Sequence, residues 1–112
     1  MTTAYITHDD CLLHEMGSYH PECPERLTVI NKGLAAAGLK QRLWWLVAEP
    51  VSTPALERVH PRDYLDWLES LHPTKGLAHA DPDTALNRHS LQAARLAAGA
   101  VTMATELVYK GE

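Results

Sequence analysis

The sequence has few cysteines, no run of basic residues and no long apolar segment. Its two cysteines, Cys11 and Cys23, are too few for a disulfide framework, so we expect a cytoplasmic protein. The net charge is -4 and Lys and Arg are not clustered, which argues against a nucleic-acid partner. No stretch reaches the roughly 18 apolar residues of a membrane span, and the N-terminus lacks the pattern of a secretory signal, so we expect no membrane partner.

The length of the chain predicts a single unit over residues 1–112. An apolar run at residues 4–8 predicts a strand, and apolar residues at helical spacing after Pro24 predict a helix that ends at Gly38. Residues 42–50 predict a second strand. Because a helix connects the two strands, the pattern is a βαβ unit and the strands are expected to be parallel.

The remainder of the chain is predicted to be mainly helical. Thr53 is a suitable N-cap for a short helix, Pro61 starts another, residues 73–87 predict a loop, and residues 88–110 predict the longest helix. Gly99 inside that helix indicates that a neighbouring backbone packs close to it. Two strands make a poor parallel sheet, and the long helix leads to no third strand. We therefore interpret the chain as the first part of a larger α/β protein.

Histidines are concentrated near the N-terminus, at His8, His14 and His20. Their ring nitrogens suit Zn²⁺, but their spacing fits no compact ligand motif, so a metal site and ordinary hydrogen-bonded histidines are both compatible with the pattern. A Cys–His nucleophile that uses Cys11 or Cys23 with His20 is chemically feasible, although nothing in the sequence marks a third group to orient it.

Two charged positions also deserve a functional interpretation. Arg26 lies in the first turn of a predicted helix, where a positive charge opposes the helix dipole. It either pairs with Glu22 or points toward an anion or a polar cavity. Asp83, in the acidic segment 79–84, either caps a turn or holds a ligand amide or ammonium group.

The segment HPECPERL at residues 20–27 resembles the first-loop motif of the histone deacetylase superfamily, His-Pro-Glu-x-Pro-x-Arg-Leu, in its class II and bacterial form. Residues 56–68 are similar to the family's Val-His-x-x-x-Tyr-x-x-x-Leu helix, residues 81–84 to its acidic second loop, and residues 90–101 to its long helix. The resemblance implies an arginase/deacetylase-like α/β fold with a parallel sheet. This chain would be its helix-rich N-terminal part, a βαβ unit followed by helices.

The resemblance also implies roles for residues of the first loop. His20, Pro21 and Glu22 match the loop that forms one wall of the substrate tunnel. Arg26 matches the arginine of an internal channel through which acetate leaves, which favours the functional interpretation of its charge.

Further matches concern the rim of the tunnel. Asp83 matches the rim aspartate that hydrogen-bonds the substrate backbone, and Asp81 is its competitor for that role. Tyr19 stands where many relatives have Gly, which predicts a narrower or more aromatic entrance.

The family's zinc ligands and catalytic histidine pair follow the long helix, so we expect no catalytic or metal-binding residue in this chain. Zinc is expected in the complete protein, with acetyl-lysine, acetylpolyamine or a similar acetylated amine as substrate, and the 112-residue chain is expected to be inactive alone. The alternative is a complete small α/β interaction or metal-binding module without catalysis. A fragment would leave the edge of the first strand exposed, which predicts self-association.

Overall fold

The computed structural model describes all 112 residues, and a pair of parallel strands lies at its centre. Strand β1 spans Thr3–Thr7 and strand β2 spans Leu43–Val47, and they pair in register along their whole length. Helix α1, Glu25–Ala36, lies in the connection between them. The predicted βαβ order with parallel strands is therefore confirmed.

Proline and glycine set the two ends of α1. Pro24 is the N-cap rather than the first helical residue, so the helix begins one position later than expected. At the other end Gly38 has a φ of +68°, a left-handed conformation that glycine adopts without steric penalty. The backbone N–H of Leu39 then donates to the carbonyl of Leu34 at 2.9 Å, which closes the helix where the sequence predicted.

Two helices follow β2: α2 spans Thr53–Glu57 and α3 spans Arg62–Ser70. The N-cap of α2 is Ser52, whose Oγ accepts a hydrogen bond from the N–H of Ala55 at 3.3 Å. The prediction of Thr53 as N-cap is wrong by one residue. Ser52 has the extended backbone that an N-cap requires, while Thr53 is already helical.

The prediction of a plain loop at residues 73–87 is wrong, because this segment contains an antiparallel hairpin. Strand β3, Ala78–Asp81, pairs with strand β4, Thr84–Leu86, with an irregularity before the turn. The side chains of Ala85 and Leu86 are buried. Burial of β4 attaches the hairpin to the rest of the molecule and so stabilises strands that are short and poor in β-branched residues.

A short 3₁₀ helix, Asp9–Leu13, occupies the first part of the loop after β1. It packs against helix α4, which spans Ser90–Lys110 and starts two residues later than predicted. Gly111 ends α4 in the left-handed conformation, as expected. None of the helices combines the length and apolar character needed to cross a membrane.

The close backbone approach predicted at Gly99 is confirmed. A Cβ atom at this position would overlap the carbonyl oxygen of Glu49 and would lie 2.9 Å from its carbon and 3.0 Å from the nitrogen of Val51. The N–H of Val51 also donates to the carbonyl of Arg95 at 3.0 Å. Helix α4 is therefore attached directly to the backbone that leaves β2.

The core is small, with 8 of 112 residues buried. One face of α4 contributes Ala93 and Leu96 to it, but Val101 and Val108 on the same helix are 67% and 79% exposed. The apolar composition of α4 predicted a helix that lies between two layers. Within this chain only one of its faces is covered.

Candidate functional site

A groove of about 560 Å³ opens between the first loop, the end of β1, β4 and the first half of α4. Thirteen of its 21 lining residues are hydrophobic. Apart from histidines, Glu22 and Arg26 are the only charged residues among them. A mostly apolar concave surface with a few polar groups is typical of a ligand-binding site. Here the charge of the groove comes from the segment HPECPERL, residues 20–27.

Arg26 is the second residue of α1, and its side chain is half exposed. Its Nη2 donates to Oε1 of Glu22 at 2.9 Å, four residues earlier in the chain and before the start of α1. The two interpretations of Arg26 are thus compatible, because it pairs with Glu22 and also lines the groove. Exposed ion pairs of this spacing contribute only about 0.3–0.5 kcal/mol, so an anion in the groove can compete for the guanidinium.

His20 uses both of its ring nitrogens. Its Nδ1 accepts a hydrogen bond from the backbone N–H of Glu22 at 3.0 Å, and its Nε2 lies 3.2 Å from Oδ1 of Asp83 in the hairpin turn. Since Nδ1 is an acceptor, the proton of the neutral ring is on Nε2, which donates to the carboxylate. Neither nitrogen bonds a thiol, so the considered Cys–His nucleophile is not formed.

The hairpin turn distinguishes its two aspartates. Oδ1 of Asp81 accepts the backbone N–H of Asp83 at 2.8 Å, so the carboxylate of Asp81 is used inside the turn. The carboxylate of Asp83 instead faces the first loop, with its side chain 95% exposed. Of the two, Asp83 is the aspartate that contacts the first loop.

Tyr19 and His20 line a separate cleft of about 380 Å³ on the outer side of the first loop. Tyr19 is fully exposed and has a φ of +65°, a left-handed conformation that is uncommon outside glycine. A glycine at this position would adopt the conformation without steric penalty. Pro21 is exposed beside them and lines neither the groove nor the cleft.

A buried polar cluster, which the sequence did not predict, ties the first loop to the start of α4. Ser90 is 3% exposed, and its Oγ lies 2.6 Å from Nδ1 of His14 and accepts the N–H of Asn87 at 2.8 Å. The side-chain amide of Asn87 donates to the carbonyl of Leu13 at 2.7 Å. No local sequence signal links His14 to Ser90, because the two residues are 76 positions apart.

The histidines and cysteines do not form a metal site. His8 accepts the N–H of Asp10, and His14 and His20 are engaged in the separate contacts described above. No three His, Cys, Asp or Glu side chains form a group that could hold a metal ion. Burial, and to a smaller extent the charge of Asp10, raise the pKa of the Cys11 thiol, which disfavours the thiolate that metal binding or nucleophilic attack requires. The residues present do not fit zinc.

Comparison with known proteins identifies the family. Residues 20–112 match the family model of the histone deacetylase domain. This match covers most of the chain and includes the end of the first loop with its motif, the hairpin and α4. The chain belongs to the histone deacetylase superfamily, as the motif in the first loop predicted.

Relatives with more specific names share much of the chain. It is 30% identical to the histone deacetylase-like amidohydrolase of Pseudomonas aeruginosa, over 98% of this chain and 33% of the relative. It is 32% identical to the polyamine deacetylase HDAC10 of Mus musculus, over 99% of this chain and 18% of the relative. The crystal structure of an HDA15 HD domain superposes with a TM-score of 0.85 at 29% identity, over 98% of this chain and 32% of that chain. The predicted α/β deacetylase fold is confirmed, and this chain spans a third of these proteins or less.

Proposed function

We propose that this chain is the N-terminal part of a zinc-dependent deacetylase that hydrolyses acetyl-lysine, an acetylpolyamine or a similar amide. The histone deacetylase domain match over residues 20–112 carries the proposal. Relatives named as an amidohydrolase and as a polyamine deacetylase support an acetylated amine as the substrate. The zinc ligands and the catalytic histidines belong to the part of the domain that this chain lacks.

The surface of the chain supports its assignment as part of a larger domain. It exposes 7971 Å², while a compact protein of its mass of 12.4 kDa exposes about 6,100 Å². Its radius of gyration is 15.8 Å, compared with about 13 Å for a compact domain of this length. The two-stranded sheet also has two unpaired outer edges, through which we expect the isolated chain to self-associate.

In this proposal the chain shapes the substrate site but does not perform the reaction. The apolar groove is part of the interior channel, and Arg26 is the cation that binds acetate as it leaves. His20, Pro21 and Glu22 form one wall of the substrate tunnel, with Asp83 at its rim. Two unpaired cysteines suit a cytoplasmic enzyme.

The alternative of a complete metal-binding module has no support in the geometry, because His8, His14 and His20 make separate contacts. A direct test compares the 112-residue chain with the longer reading frame that contains it. Both are assayed with zinc on an acetyl-lysine peptide and on acetylspermidine. We expect turnover only by the longer protein, with loss on chelation and recovery on zinc addition. Turnover by the 112-residue chain, or a longer protein without activity, would contradict the proposal.

The role of Arg26 is tested in the longer protein with acetate as an inhibitor. Replacing Arg26 with Ala removes the only lysine or arginine side chain from the groove and should weaken inhibition by acetate. The matched control is Arg62→Ala. It removes an exposed arginine of α3 that pairs with Asp66 on the same helix and with Glu57 at the end of α2. Equal acetate inhibition in both variants would argue against a channel role for Arg26.

A further inference from the structure

We infer that His20 is a positioning residue that holds the carboxylate of Asp83 so that one carboxylate oxygen stays free to accept an N–H donor of the substrate. The inference rests on the proposed function, which places Asp83 at the tunnel rim. It adds a specific task for the histidine of the first loop, which the family resemblance treats only as part of a wall.

The first loop fixes the ring of His20, which is the donor of this pair. The N–H of Glu22 donates to Nδ1 of His20 at 3.0 Å, which holds the ring and leaves the proton on Nε2. The His20 side chain is only 22% exposed, so its rotation is restricted by its neighbours. A donor is therefore presented to the hairpin in one orientation.

The hairpin turn fixes the backbone of Asp83, whose carboxylate is the acceptor of this pair. The N–H of Asp83 donates to Oδ1 of Asp81 at 2.8 Å, which orients the backbone that carries the carboxylate. The side chain itself is 95% exposed and would rotate freely without a partner. Its hydrogen bond with His20 is the only side-chain hydrogen bond between the hairpin and residues 15–24. Loss of His20 therefore cannot be compensated by a second bond.

The chemistry of the free oxygen defines what it can bind. A carboxylate oxygen accepts hydrogen bonds and donates none, so its ligand presents an amide N–H or an ammonium group. A peptide that contains acetyl-lysine offers the first, and an acetylpolyamine offers the second. Both sources share the N–H donor, and kinetics with the two substrates distinguish them.

The first experiment tests the pair in the 112-residue chain without any assumption about activity. Long-range proton–nitrogen correlation spectra of the histidine rings should show His20 with its proton on Nε2, and His20→Gln assigns the signal. Asp83→Ala should shift that Nε2 resonance, whereas His72→Ala, which removes an exposed histidine, should not. A proton on Nδ1, or no response to Asp83→Ala, would overturn the inference.

The second experiment uses the complete enzyme and a double-mutant cycle. His20→Ala should raise KM about fivefold for a substrate with an N–H donor and change kcat by less than about twofold. His20→Gln should restore KM because its side-chain amide can donate to Asp83. In an Asp83→Ala background, His20→Ala should have no further effect.

The results of the cycle identify the donor, test the inference and separate it from the proposed function. A larger KM effect with acetylspermidine than with the peptide identifies an ammonium donor, and the reverse identifies an amide donor. A fall in kcat, or an effect of His20→Ala that persists without the Asp83 carboxylate, would show that His20 does not act through Asp83. Absence of wild-type turnover would refute the proposed function, while the spectra still test the pair.

Discussion

The contact between α4 and the backbone after β2 predicts that Gly99→Ala destabilises the fold. A Cβ at this position would overlap the carbonyl oxygen of Glu49 and would lie 3.0 Å from the nitrogen of Val51. Both obstacles are backbone atoms, which cannot rotate away as the end of a flexible side chain can. The helix and the strand connection must therefore move apart to accept one methyl group.

The size of the effect is the balance of one stabilising and two destabilising contributions. Alanine gains about 1 kcal/mol of helix propensity relative to glycine. Overpacking in a tight contact costs about 1–3 kcal/mol, and we expect the upper end because backbone has to shift. The same movement stretches the hydrogen bond from Val51 N–H to the Arg95 carbonyl, worth about 1 kcal/mol. The net destabilisation is about 2–3 kcal/mol.

Urea denaturation followed by circular dichroism measures this difference. The matched control is Gly33→Ala in α1, where a Cβ would meet no atom within 4 Å. There the propensity gain is unopposed, so the control should stabilise the chain by about 1 kcal/mol. The two substitutions are chemically identical and should have opposite signs. If Gly99→Ala stabilises the chain as Gly33→Ala does, the reasoning about the close approach is refuted.

Three further predictions concern the first loop. Tyr19→Gly should raise the melting temperature and the free energy of unfolding by about 1 kcal/mol, because it relieves a left-handed backbone and removes only an exposed side chain. Ser90→Ala should lower the free energy of unfolding in urea by about 2 kcal/mol, because it removes the buried hydroxyl that bonds the part-buried His14 ring and the N–H of Asn87. Burial, and secondly the charge of Asp10, raise the pKa of the Cys11 thiol in the folded chain, so the free energy of unfolding should be highest below the ordinary thiol pKa and should fall as the pH rises through the raised pKa. Urea titrations at several pH values should show that Cys11→Ala reduces this alkaline loss of stability. An unchanged pH profile in the variant would contradict the prediction.

Strands β1 and β2 and the two longest helices could be predicted because their signals are local. Apolar runs gave β1 and β2, and helical spacing with terminal glycines gave α1 and α4. The starts of α1, α2 and α3 were each missed by one residue, since Pro24, Thr53 and Pro61 are acceptable both as cap and as first helical residue. Local sequence signals locate the start of a helix to within about a residue, and the surrounding contacts decide which residue is the N-cap.

The hairpin at residues 78–86 was missed because its strands are short and contain small and polar residues. The Asp-Pro-Asp segment, residues 81–83, does carry turn chemistry, and apolar or small residues alternate with polar ones before it. The pairing of β3 with β4 is local, whereas the burial of Leu86 depends on the elements that cover it elsewhere in the chain. A turn signal of this kind is therefore evidence for a hairpin only when a partner surface is known.

The sequence nominated candidate site residues, but it could not supply all of their contacts. The motif in the first loop pointed to His20 and Arg26, and Glu22, four residues before Arg26, was already a candidate partner in the sequence. The contact between His20 and Asp83 spans 63 residues. No periodic pattern links positions so far apart, and only the fold brings the hairpin to the loop.

Two hydrogen bonds of different strength connect the first loop to the rest of the chain. His14 is bonded to Ser90, which is 3% exposed, and His20 is bonded to Asp83, whose side chain is 95% exposed. Breaking the first bond would leave the buried Ser90 hydroxyl without its His14 partner, whereas the second bond lies at the surface. The fold of the loop therefore depends mainly on the His14–Ser90 bond, and the His20–Asp83 bond serves to orient the Asp83 carboxylate rather than to keep the loop folded.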